Sequence, residues 1–143
     1  CLFLGNLKSK RDWGHAKDYI EGMYLILQHS VPDDFVLATG ISTTIRDFVK
    51  MSFFHLGIEL EFKGSGENEV GYIKSHDNKF NLNIGDIIVK VDPKYYRPTE
   101  VDLLIGDSSK ARDILGWSPK YELNSLVKEM VTHDFNYFKN LSK

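Results

Sequence analysis

The chain has 143 residues, a length that builds one compact domain rather than two of ordinary size. Lys and Arg total 18 against 20 Asp and Glu, a formal net charge of −2 with a pI near 6.2, which argues against a nucleic-acid binder working by bulk electrostatics. Hydrophobic residues at 42% can fill a core, no apolar run approaches the ~20 residues that span a bilayer, and the single Cys1 excludes an internal disulfide or a Cys-cluster zinc site.

Cys1-Leu2-Phe3-Leu4 is a strand-like run with no initiator Met or signal-like segment before it, so the chain is expected to be a piece of a longer protein. With one cysteine and no targeting segment, a reducing cytoplasm is the expected location. The run ends at Gly5 and Asn6, the usual punctuation after a strand. After a polar stretch through Arg11 and Asp12, the residues Ala16, Tyr19, Ile20, Met23, Tyr24 and Leu27 recur at helical spacing and predict an amphipathic helix with one broad apolar face. Pro32 makes a turn, and residues 35–38 are expected to form a short strand closed by Thr39 and Gly40.

Thr44 with Asp47 resembles a capping box carrying the shorter acid. Ile45, Phe48, Val49, Phe53 and Leu56 supply the next helical face, with Gly57 where a left-handed residue belongs. Ile58, Leu60 and Phe62 alternate with Glu59 and Glu61 as in a half-buried strand. Residues 63–85, rich in Gly and Asn, read as a long irregular loop with room for a small hairpin. Residues 87–91 and 101–105 predict strands. A short helix follows from Asp107 or Ser108 to Leu115, closed by Gly116, and a final helix runs through Leu123, Val127, Met130 and Phe138. Short strands alternating with helices indicate a mixed α/β domain, more an added lobe than a complete doubly wound sheet.

No dinucleotide fingerprint, Walker A segment or nucleophile elbow is present; Gly64-Ser65-Gly66 reads as a turn. No tyrosine is followed by Lys four residues later. The histidines at 15, 29, 55, 76 and 133 stand alone, without metal-ligand spacing, and only His15 lies beside a segment of interest.

Two segments carry chemistry. One is Gly5-Asn6 followed by Lys10-Arg11-Asp12-Trp13-Gly14-His15; the other is Tyr95-Tyr96-Arg97-Pro98-Thr99-Glu100-Val101. Each sets an arginine beside aromatic and Pro or Gly neighbours that stiffen the backbone, and a guanidinium fork matches phosphate oxygens. Glu100 could accept from two ribose hydroxyls. The competing reading pairs Arg11 with Asp12 or Asp18, and Arg97 with Glu100, as surface ion pairs worth little.

R-D-W-G-H-A-K-D-Y, then L-A-T-G, G-x-G-x-N-E-x-G from Gly64, Y-Y-R-P-T-E-V, and G-D-x-x-K-A-x-x-x-L-G-W near the end together resemble the GDP-mannose 4,6-dehydratase family of extended short-chain dehydrogenases. The likeness covers essentially all 143 residues as the C-terminal substrate-binding lobe, lacking the N-terminal Rossmann domain. The R-D-W element alone marks only the superfamily. The resemblance implies a domain over residues 1–143 that binds GDP-mannose, NADP held by the N-terminal domain, and a homo-oligomeric full-length enzyme. In the family, hydride leaves the sugar C4, water is eliminated across C5 and C6, and hydride returns at C6, giving GDP-4-keto-6-deoxymannose. Carried over by motif, Arg11 and Arg97 grip the diphosphate, Glu100 holds the ribose, and the backbone around Leu4, Gly5 and Asn6 lines the nucleotide. No position matches the family's Tyr–Lys pair, threonine or glutamate base, so catalytic residues and activity are not expected in this segment alone. The alternatives are a GDP-4-keto-6-deoxymannose reductase or another nucleotide-sugar epimerase or dehydratase, and a stand-alone nucleotide-sugar binding module.

Overall fold

The computed structural model of the chain describes residues 1–97 and 105–141. These fall into two units: Cys1–Ser9, Thr44–Asp102 and Val127–Lys143 form one, and Lys10–Thr43 with Leu103–Leu126 the other.

The first unit is built on a four-stranded sheet of β1 (Leu2–Leu4), β6 (Ile87–Val91), β5 (Val70–His76) and β4 (Ile58–Lys63), in that spatial order. β1 and β6 run parallel with Leu4 opposite Val91, while β5 is antiparallel to both its neighbours. In β4 the alternation works as the sequence predicts: Ile58 and Leu60 are buried and Glu59 and Glu61 are exposed. Together with Leu7, Val49, Ile73, Val89 and Val91 they make one core. Removing their apolar surface from water stabilises the fold by roughly 25 cal/mol per Å².

Helix α2 (Ile45–His55) contributes Val49 and Phe53 to that core. Its start is the expected cap: the Thr44 hydroxyl accepts from the Asp47 amide at 3.0 Å and donates to the Asp47 carboxylate at 2.6 Å. Its end is the expected left-handed glycine, Gly57 at φ 79°.

Residues 63–85 depart from the long-loop expectation. Residues 64–69, which include a short 3-10 turn over Gly66–Asn68, and residues 77–86 are irregular; between them β5 pairs along the whole of β4 and also with β6. The small hairpin allowed for there is therefore an interior strand of the sheet. Gly71, which reads as a loop signal, sits inside β5 because a Cβ there would lie 2.8 Å from the Phe62 ring and 3.1 Å from Val89.

The second unit contains β2 (Lys10–Asp12), α1 (Ala16–Gln28), most of β3 (Ser42–Thr44), α3 (Ser109–Leu115) and the first turn of α4 (Leu123–Leu141); β2 and β3 pair as a two-stranded sheet. α1 packs on α3 with an unexpected face. Its buried residues are Asp18 and Gly22, set against Trp117, whose indole donates to the Asp18 carbonyl at 2.8 Å. The apolar stripe read from the sequence points outward, with Ile20, Met23, Tyr24 and Leu27 all more than half exposed. Gly116 closes α3 in the left-handed conformation, φ 68°, as expected. Residues 35–38 join neither sheet among the described residues, against the strand expectation, although Ala38 is buried beside Gly106. The strand expected at 101–105 lies outside the described residues except for Ile105.

Candidate functional site

In open α/β sheets ligands bind outside the carboxyl ends of the strands. In the first unit the parallel strands β1 and β6 end side by side, Leu4 opposite Val91. Beyond them the Asp92 amide donates to the Leu4 carbonyl at 2.8 Å, locking the two exits side by side. The Asp92 carbonyl then accepts from Tyr95 and Tyr96 at 2.9 and 3.1 Å, and its carboxylate accepts from the Lys94 amide at 2.9 Å. This turn is stiff, and Tyr96 packs against the core below it. Arg97 leaves it with an exposed side chain.

Gly5 faces the same turn. A Cβ there would stand 2.4 Å from the Tyr95 carbonyl oxygen, so only glycine permits the approach. Asn6 folds back on its own loop, its Oδ1 accepting from the Lys8 amide at 3.0 Å and its carbonyl from Ser9 at 3.3 Å. The structure therefore brings Gly5, Asn6 and Arg97 onto neighbouring loops of one unit.

Arg11 belongs to the second unit, on β2, where it donates to the Lys10 carbonyl at 2.7 Å. It lines a shallow cavity of about 390 Å³ with Asp12, Tyr19, Leu37, Ile105 and Gly106. Burial, with Asp12 and Asp18 nearby, holds the Tyr19 phenol above its ordinary pKa, so it is a neutral donor at physiological pH. Glu100, with Pro98, Thr99 and Val101 of its motif, lies outside the described residues.

The structure adds three features that sequence reasoning missed. Asp12 accepts from the Thr39 hydroxyl at 2.5 Å, the Thr39 amide at 3.2 Å and the Gly40 amide at 2.8 Å, tying the segment after Arg11 to the L-A-T-G run. His15 is buried as the cap of α1, Nδ1 accepting from the Lys17 amide at 3.1 Å and its ring stacked on Tyr121 at 4.3 Å. Arg46 pairs with Glu69, a residue of the G-x-G-x-N-E-x-G run that is almost wholly buried. No local pattern signals any of these, because the partners are remote or the residue type is an uncommon cap.

A wider groove of about 630 Å³, between Phe48 and Ser52 of α2, Leu56 just after it, and Met130, Phe135 and Phe138 of α4, holds none of the predicted residues. Its lining is mostly apolar, with Asp134 and Lys139 its charged residues. A diphosphate has few partners there.

NADP, which the sequence resemblance implies, does not fit the residues described. A dinucleotide cradle needs free amides at a helix entered from a strand. α2 is entered directly from β3, but its first amides are taken: Ile45 donates to the Ser9 carbonyl, Arg46 to the Leu7 carbonyl and Asp47 to Thr44. α1 is capped by His15, and α3 is only seven residues long. Among the described residues no three His, Cys, Asp or Glu side chains gather as a metal site, and no helix is long and apolar enough to cross a membrane.

Known proteins resemble the chain along most of its length. A GDP-mannose 4,6 dehydratase from Yersinia enterocolitica is 48% identical over 141 residues, covering 97% of this chain and 38% of its own length. The human GDP-mannose 4,6 dehydratase is 51% identical over 134 residues, covering 94% and 34%. The chain thus spans somewhat more than a third of the length of the relatives it matches. In fold it is similar to UDP-glucose 4-epimerase from Thermotoga maritima, solved with UDP-glucose, at a TM-score of 0.65 and 21% identity over 99% of this chain and 36% of that one. The model of the GDP-mannose 4,6 dehydratase family matches residues 1–130, and the chain belongs to that family.

Proposed function

We propose that the chain is the nucleotide-sugar-binding portion of an enzyme that converts GDP-mannose to GDP-4-keto-6-deoxymannose with loss of one water. The observation that carries this reading is the joint exit of β1 and β6, where Gly5, Asn6 and Arg97 occupy neighbouring loops. In this reading the Arg97 guanidinium binds the diphosphate through paired N–H donors, and the Gly5 and Asn6 backbone lies along the nucleotide. Arg11 contributes a second cation to the diphosphate, and Glu100 accepts from the ribose hydroxyls. Arginine suits this task because its charge-assisted bonds to phosphate are about twice as strong as neutral ones.

Binding the remote GDP half fixes the hexose at the reacting centre, so part of the binding energy becomes orientation. In this reading none of the described residues serves as the acid, base or hydride carrier, so this portion positions the substrate and the chemistry falls to the rest of a longer enzyme. The chain alone is expected to be inactive. The outward stripe of Ile20, Met23, Tyr24 and Leu27 supports a larger protein over a stand-alone module, since such a face calls for a covering surface. The expected setting is a cytoplasmic homo-oligomer.

The test is to incubate the full-length polypeptide with GDP-mannose and NADP and to follow the sugar nucleotide by mass spectrometry. Loss of one water with the GDP moiety intact is the expected product. Turnover of GDP-4-keto-6-deoxymannose with no action on GDP-mannose would assign the chain to a reductase instead.

A further inference from the structure

We propose that the Arg46–Glu69 ion pair is a positioning strut that sets the spacing of the two loops of the candidate nucleotide site; this rests on the reading above. Arg46 Nε donates to Glu69 Oε1 at 2.5 Å, with the Glu69 side chain 3% exposed and Arg46 26%. Each partner also holds one loop through its backbone. The Arg46 amide donates at 3.0 Å to the carbonyl of Leu7, the residue after Gly5 and Asn6. The Glu69 carbonyl accepts at 3.2 Å from the amide of Val91, the last residue of β6 before the turn that carries Arg97.

Glu69 reaches the second loop by another path as well. Its amide donates to the Gly66 carbonyl at 3.2 Å, and the open face of Gly66 abuts the Tyr96 hydroxyl, which would be 3.5 Å from a Cβ there. The side-chain bond between 46 and 69 therefore closes a frame: Leu7 to Arg46, Arg46 to Glu69, Glu69 to Val91 and Tyr96. A buried ion pair is weak evidence of stability, because well-packed apolar residues of similar volume often replace it without loss. What such residues lack is the directional bond that fixes the frame.

This separates a positioning role from a merely structural one. The double variant Arg46→Met/Glu69→Leu in the full-length polypeptide is expected to keep its unfolding midpoint while its affinity for GDP falls roughly tenfold, because small misplacements of binding groups are costly. Amide hydrogen exchange at Ser9, Tyr95 and Tyr96 is expected to accelerate in the same variant. The single variant Arg46→Lys keeps the charge and alters only the donor fork, and gives the same pattern at smaller amplitude if the double variant does not fold. Wild-type GDP affinity together with unchanged exchange in the variants overturns the strut. A wild-type protein that does not bind GDP overturns the site reading instead, and the exchange rates then still decide the strut.

Discussion

Gly5 lies against the Tyr95 carbonyl so closely that a β-carbon on residue 5 would come within 2.4 Å of the oxygen. This approach holds the loop after β1 beside the turn after β6. The oxygen belongs to the backbone of a turn hydrogen-bonded to Asp92, so it cannot swing aside as a flexible side chain would. Gly5→Ala is expected to cost about 1–3 kcal/mol of stability and to weaken GDP binding as the two loops part. Denaturant unfolding and calorimetric titration of the variant check both effects.

Arg97→Lys distinguishes a guanidinium fork from a simple cation. Lysine keeps the charge but offers no planar pair of donors. The expected result is intermediate GDP affinity, between the wild type and Arg97→Ala. An affinity equal to the wild type would show that only the charge matters. Because Arg97 is exposed, thermal unfolding of both variants should match the wild type.

Asp12 joins two motifs 27 residues apart through three hydrogen bonds from Thr39 and Gly40. Asp12→Asn replaces a charged acceptor of two amides and a hydroxyl, and turns one of its oxygens into a donor facing an N–H. A loss of about 1–3 kcal/mol in unfolding free energy is expected, measured by denaturant titration. Thr39→Val should reproduce only part of that loss.

The α2 cap gives a sharper local prediction. Thr44→Ala removes the acceptor for the Asp47 amide and is expected to cost about 1 kcal/mol. Thr44→Ser, which keeps the hydroxyl, should recover most of it in the same unfolding measurement.

Signals confined to a few residues were legible in the sequence. The Thr44 and Asp47 cap, the left-handed Gly57 and Gly116, and the alternation of β4 each depend on neighbours within one turn or strand. β5 was obscured because Gly71, normally a loop signal, is there to admit the Phe62 ring from the adjacent strand. The outward face of α1 was obscured for a different reason. Helical periodicity locates an apolar stripe but not what covers it, and here Asp18 and Gly22 face Trp117 instead. Residue type and motif single out Gly5, Asn6 and Arg97, and the structure sets the loops that carry them side by side. The Asp12 contacts and the Arg46–Glu69 pair join residues more than 20 positions apart and carry no local signature.

Titration of GDP into the full-length polypeptide, wild type against Arg97→Ala, is the most direct measurement. Binding by the wild type is expected, weakened in the variant by about 1.5–3 kcal/mol, the range for a hydrogen bond to a charged group. Equal affinity of the two proteins for GDP would contradict the assignment of Arg97 to the diphosphate.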